Sequence, residues 1–277
     1  MQHAANDIAF TRHAGRRGLD WLRESYQLFR RAPLAWLLLV LAYYVVLVAI
    51  KMVPLVGGIA AVVMKPVFAV GFLAAAWHQE RGSAPSVRHL FQGFRANLRA
   101  LLPLGVILLA GVMLAVAATA VIDGGRLVGL FLDPSPEGMS QEAAADRFSG
   151  TLAEPRVQAG MLFGALCALP TLLALWFAPA LVVFQDAGVL VALRSSLRAA
   201  LANWRPLLRY AIAVFFFSAV VPTLLSLVVA LIVPPSLHAA FAAFVLLPYG
   251  ACFVATLQIS DYVSYRDVFH PDEDAQP

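Results

Sequence analysis

The sequence predicts an all-α integral membrane protein: a polytopic six-helix transmembrane bundle with three amphipathic interfacial helices in a threefold internal repeat. Three observations predict it. Hydrophobic residues make up 61% of the 277 and charged residues 13%, against roughly 45–50% and about 25% in a soluble domain. That much apolar surface cannot be hidden in one globular core of this size. Several apolar runs reach the ~20 residues needed to cross a bilayer. Finally, one pattern recurs: a basic amphipathic segment runs into proline, and the proline into an apolar run.

The three copies of that pattern run from Trp21 to Pro33, from Phe91 to Pro103 and from Arg194 to Pro206. Aligned on the prolines, each has leucine five residues earlier, at Leu28, Leu98 and Leu201. Three units of segment, span, turn and span, over approximately 18–78, 86–184 and 189–260, then account for six spans. They form a single integral membrane domain over 1–277.

Residues 1–15 are polar and expected to be poorly ordered. No apolar stretch lies among the first 18 residues, so a cleaved signal peptide is not expected. From Leu19 the stripe Leu19, Leu22, Tyr26 and Phe29, flanked by Trp21 and Leu28, predicts a helix lying in the membrane interface. Span one is Leu34 to about Met52, and Lys51 with Pro54 marks a turn. Span two runs from about Gly57 to Trp77, and His78–Gly82 ends it in water. Ser86 is a suitable N-cap for the second amphipathic segment, whose apolar side is Leu90, Phe91, Phe94, Leu98 and Leu101. Span three is Pro103 to Ile122.

Residues 123–158 form the one long polar loop, with a short helix expected from Ser140 to Phe148. Span four, about 159–184, is interrupted by Pro170 and Pro179. The third segment sets Leu190, Leu193, Leu197, Leu201 and Trp204 opposite its arginines. Span five is about 210–233, and span six is 237 to about 259. The tail from Ser260 is polar.

Charge orients the bundle. The N-terminus, the 78–102 and 185–209 loops and the tail hold 15 of the 20 Lys and Arg residues. The opposite side holds four: Lys51, Arg126, Arg147 and Arg156. Positive residues favour the cytoplasm, so both termini are expected there and the 123–158 loop in the periplasm. The arginines adjoin apolar spans, which points to anionic lipid of the cytoplasmic leaflet and not to nucleic acid. The interfacial set is Arg23, Arg30 and Arg31, then Arg88, Arg95 and Arg99, then Arg194, Arg198, Arg205 and Arg209.

Catalytic chemistry is not visible. The six histidines show no metal-ligand spacing, and no GxSxG, Walker A or HExxH motif occurs. Glu80, Asp186 and Asp261 read as solvated helix ends. Cys167 and Cys252 differ by ~10 Å in expected depth, too far apart for a disulfide. Neither an enzyme nor a cofactor is expected.

Lys65 is the one charge well inside a span, ~12 Å below its outer end. An ammonium there costs ~2.5–3.5 kcal/mol on insertion scales. No carboxylate in an apolar run is available to pair with it, so its partners are freed carbonyls, water or the hydroxyls of Tyr43, Tyr44 and Tyr249. It either snorkels to the surface or binds an anionic group in a wet cavity.

With Gly18–Leu22, Leu28–Pro33 and Phe91–Arg95 in view, the chain resembles a family of hypothetical transmembrane proteins of the proteobacterial inner membrane. More distantly, its threefold pattern is similar to the membrane domain fused to some glycerophosphodiester phosphodiesterases. The resemblance implies an inner-membrane location and a helical fold, and it brings no catalytic residues. Two functions fit. One is a non-enzymatic protein whose amphipathic helices engage anionic lipid or a membrane-protein partner. The other is a small-molecule or lipid transporter with a mid-membrane site near Lys65. A polar cavity would favour transport, and a dry bundle the first.

Overall fold

A computed structural model of the chain describes residues 8–133 and 139–270. Every regular element among them is helical. Five helices are long and apolar enough to cross a membrane: Pro33–Lys51, Leu98–Asp123, Pro155–Phe184, Trp204–Ile232 and Pro235–Phe269. Among the described residues a sixth crossing is available only from a bent pair, Gly57–Val63 with Lys65–Glu80, which meet at 44°. The expected continuous span two is therefore broken at Met64. Pro66 accounts for the restart: it lies within the first turn of the second helix, where its missing N–H costs nothing.

The helix α1 (Arg17–Arg31) precedes α2 (Pro33–Lys51), with α3 (Gly57–Val63) and α4 (Lys65–Glu80) completing the first third. On α1 the buried positions are Gly18, Trp21, Ser25, Leu28 and Phe29. Leu19 and Tyr26, expected on the apolar stripe, are about half exposed. Gly18 lets α1 approach the helix Trp204–Phe215 closely, because any Cβ there would collide with the Pro206 carbonyl.

The second amphipathic segment is not one helix. It is a 3-10 turn (Val87–Phe91), one turn of α5 (Gln92–Arg95) and a break before α6 (Leu98–Asp123). Ser86 stands at its N-cap position, and its backbone N–H donates to His89 Nδ1 at 3.0 Å. Asn97 opens α6, accepting from the Ala100 N–H at 3.3 Å. Pro103 then sits inside α6 instead of starting it.

The expected long loop is mostly helix: α7 (Arg126–Leu132) and α8 (Gln141–Ala153), the latter capped by Ser140. Asp123 makes the turn before α7. Its Oδ1 accepts from the Gly125 N–H at 2.7 Å and its Oδ2 from the Leu127 N–H at 3.0 Å. Gly124 and Gly125 both take left-handed φ, +68° and +85°, where a side chain would be strained. The mostly exposed position of α8 fits its polar sequence.

Span four is α9 (Pro155–Trp176) and α10 (Ala178–Phe184), parted at Phe177 next to Pro179. The helices α6 and α9 share the largest packed surface. Gly111 there leaves room for Thr171, and Gly164 for the Ala115 carbonyl. Small residues at such a contact let helix backbones approach where lipid supplies no hydrophobic drive.

On α11 (Val189–Ala202) the buried face is Ala192, Ser195, Ser196, Ala199 and Ala200. Of the leucine stripe, Leu190 and Leu201 are turned outward. A small face can lie flat against α9 and α10, which a leucine face could not without displacing them.

Spans five and six complete the chain. The fifth comprises α12 (Trp204–Phe215), a π turn (Phe216–Val220) and α13 (Val221–Ile232). The sixth comprises a 3-10 turn, α14 (His238–Phe241), a second π turn (Ala242–Leu246) and α15 (Leu247–Phe269). None of span five's most apolar stretch is buried.

Two ends of the chain depart from expectation. The polar tail is no tail, because α15 runs on to Phe269 and buries Tyr262, Val263, Tyr265, Val268 and Phe269. Residues 8–16 cross it as a strap. The Thr11 N–H donates to the Val268 carbonyl at 2.8 Å, and Phe10 meets Phe269 edge-on. Asn203 holds the strap from α11's end, accepting from the His13 N–H and donating to the Thr11 carbonyl, both at 2.9 Å. Residues 1–7, 134–138 and 271–277 lie outside the described residues.

Candidate functional site

A cavity of about 470 Å³ opens between α2, α3–α4 and α15. Span one contributes Tyr43, Tyr44, Leu47 and Lys51, while Ala61, Lys65, Phe68 and Phe72 come from the broken span. Gln258 and Asp261 come from α15. The volume is within the ~300–1,000 Å³ of small-molecule sites. Aromatic packing fixes the wall, since Tyr43 meets Phe68 and Phe72 edge-on at 5.5 Å between centroids.

The structure therefore brings together three of the four residues expected around an anion: Lys65, Tyr43 and Tyr44. It does not bring Tyr249, whose hydroxyl donates to the Phe217 carbonyl at 2.5 Å and bridges spans six and five. That carbonyl lies in the π turn, where backbone groups lose their regular helical partners.

Lys51, Gln258 and Asp261 were not expected in the site. Lys51 reads in sequence as part of a turn, but it is the last residue of α2 and faces the cavity. Asp261 reads as a solvated helix end, but it stands inside a helix that continues for two more turns. The expectation that no carboxylate shares Lys65's surroundings is thus corrected. The available signal was the helical spacing of Tyr262, Val263, Tyr265, Val268 and Phe269, which carries span six's helix past Asp261. Gln258 and Asp261 are then three residues apart on one face.

A second polar assembly locks the end where the described termini meet. Arg17 donates to both oxygens of Asp267, from Nη2 at 2.7 Å and Nε at 2.9 Å. The fully buried Trp21 donates its indole N–H to Asp267 at 2.8 Å. Arg17 and Arg266 both reach Glu24. Glu80 accepts from the Tyr262 hydroxyl at 2.7 Å and pairs with Arg266. Held this way, Glu80 is not a solvated helix end. The Asp267 carboxylate raises the pKa of the Arg17 guanidinium by hydrogen bonding it, against a smaller opposing effect of burial. Gln79, expected in water, is buried between Trp36 Nε1 at 2.8 Å and the Leu28 carbonyl at 2.9 Å. These groups bind one another, so we assign them to architecture.

Two histidines eleven residues apart also meet. The His78 and His89 rings lie 4.7 Å apart. Burial lowers the pKa of His89, and His78 lowers it further. Among the described residues no group of three or more His, Cys, Asp and Glu is placed to hold a metal. All ten interfacial arginines have exposed positions, and Arg205 covers the Trp204 ring at 5.3 Å. Cys167 and Cys252 are free thiols.

Five apolar crossing-length helices and a bent pair define a multi-pass membrane protein. The chain is similar to a probable inner membrane protein of Burkholderia thailandensis, with 27% identity over 264 residues, 94% of this chain and 93% of the relative. With that likeness, the multi-pass protein is one of the bacterial inner membrane. No family model matches the chain, and no solved structure matches it.

Proposed function

We propose that this inner-membrane protein binds an anionic group in the cavity at Lys65 and moves it through the bilayer, as a small-molecule or lipid transporter and not an enzyme. The observation that carries the reading is the pairing of Lys65 and Lys51 in one aromatic-walled cavity between three crossing elements. Cations in membrane-spanning helices are costly and mark ligand pathways. The break at Met64 supports it too, since interrupted helices in transporters surround their substrate sites.

The test uses ethyl phosphate, titrated into the protein in nanodiscs. A charge-assisted hydrogen bond contributes ~1.5–3 kcal/mol, so Lys65→Met should weaken binding by about 10–100-fold. Wild-type protein that ignores ethyl phosphate, or a variant that binds it as well, would sink the reading.

The reading includes six spans, from three copies of one unit, with both described ends in the cytoplasm. The ten exposed arginines support that orientation by the positive-inside rule. Single cysteines at Ser83 and at Ser149, in a background without Cys167 and Cys252, test it. An impermeant thiol reagent on intact cells should reach the second and not the first, and the reverse would invert the topology. A second activity, retention of anionic lipid by the arginine-bearing segments, is favoured by their exposure. Each juxtamembrane charge is worth ~1 kcal/mol near an anionic leaflet. Replacing Arg95, Arg99, Arg205 and Arg209 with glutamine should then strip co-purifying anionic lipid, and an unchanged lipid content would leave these as packing helices.

A further inference from the structure

We propose that the cavity's ligand is a zwitterion, with a phosphate or carboxylate at the Lys65 end and an ammonium at the Asp261 end. This inference rests on the anion-binding reading above and names the class of substrate. Lys65 and Asp261 line one cavity, yet among the described residues no ion pair joins them, and no hydrogen bond to the Asp261 carboxylate occurs. Lys65 is exposed and Asp261 half-buried in the cavity wall, and a ligand bearing the complementary pair would satisfy both at once.

The register keeps them apart. Glu80 bonds Tyr262 and Arg266, residues 182 and 186 further along the chain. At that offset Asp261 is level with the stretch of α4 near residues 75–79, about ten to fourteen residues inward of Lys65. At ~1.5 Å per residue this is roughly 15–20 Å. The two side chains cover part of that distance, and the rest is left for an ammonium–phosphate or short ammonium–carboxylate molecule. Tyr43, Phe68 and Phe72 wall the path between the two ends, and aromatic faces attract an ammonium as well as Asp261 does. Two cations against one carboxylate match an anionic end with more than a single charge, as a phosphate monoester has.

The experiment compares O-phosphoethanolamine with ethyl phosphate, titrated into the full chain in phosphatidylglycerol nanodiscs. O-Phosphoethanolamine should bind about tenfold more tightly. Asp261→Asn should abolish that preference and leave ethyl phosphate binding within about twofold, whereas Asp261→Glu should keep the preference. Lys65→Met should weaken both ligands. Equal binding of the two ligands by wild-type protein, or a preference that survives in Asp261→Asn, overturns the zwitterion while the anion site stands. Binding of neither overturns both. Nanodiscs of phosphatidylethanolamine separate the sources: a lipid headgroup in the cavity would compete and weaken O-phosphoethanolamine there, and a free ligand would bind equally in both membranes.

Discussion

The two ends of this bundle are built on different terms. At the end where the termini meet, strap, α1, α11 and the last turns of α15 interlock through aromatic rings and a closed polar network. At the other end, span five has none of its apolar stretch buried, and Leu231 and Ile232 are 78% and 76% exposed. The first end is held by protein, and the second is left to lipid. In water, exposed apolar surface on this scale would mean aggregation or a partner. In a bilayer it costs nothing, because lipid tails are as apolar as leucine. The difference teaches that the specificity of this fold is concentrated in its polar end.

Four substitutions break or sharpen that contrast. The largest effect is expected of Asp267→Ala, which strands Arg17 and the Trp21 indole among buried neighbours. Breaking a buried pair from one side costs ~3–5 kcal/mol, and the part-exposure of Arg17 places the loss near the lower figure. Unfolding in detergent, followed by tryptophan fluorescence, measures it, and a loss under about 1 kcal/mol would remove the network from the account. Next comes Trp36→Phe, which keeps one aromatic ring, removes the donor to Gln79 and leaves a small void at a fully buried position. It should cost about 1–3 kcal/mol, the penalty of one unsatisfied buried group.

A pH effect follows in size. Burial, and then the neighbouring His78, lower the pKa of His89 in the folded protein below the ordinary 6.5. The unfolded chain takes up a proton more readily as pH falls. The stability this group contributes is therefore full above about pH 6.5 and is lost as the pH drops toward its folded value. Unfolding midpoints should decline from pH 7 to pH 5, and His89→Asn should flatten that decline. The smallest effect belongs to Leu231→Ala, expected within ~0.5 kcal/mol because no protein contact is lost. A large loss would mean that something other than lipid covers span five.

The sequence told the membrane class and five of the crossing helices plainly, because hydropathy over twenty residues depends on the solvent and not on tertiary contacts. It told Lys65 and its two tyrosines as a possible group, since charge in an apolar run needs an answer wherever it lies. It told much less about which face of each amphipathic helix turns inward. On α11 the bulky stripe is what the sequence displays, but Ser196 is what reaches across, accepting from the Phe177 N–H and donating to the Leu173 carbonyl. The choice between small and large faces is made by the neighbour and is invisible in one strand of text. Asp261 was misplaced for a related reason. Polar residues after an apolar run look like an exit, and only the partners of Tyr262 and Arg266 show that the helix is still enclosed. The strap failed for want of periodicity: its backbone is held by side chains more than 180 residues away.

That strap has a consequence for how the protein is made. Thr11 is secured by Val268, and Arg17 by Asp267, 250 residues later. A ribosome delivers the N-terminal segment first and its clasp last. Throughout insertion, Trp21 and Arg17 wait without the carboxylate that satisfies them, and nascent chains stopped anywhere short of Asp267 display this unfinished end. The arrangement works as a completion check, since only a chain translated through Asp267 can fasten its own beginning. Proteases of the membrane could therefore distinguish finished molecules from aborted ones by a single loose segment on the arginine-rich side.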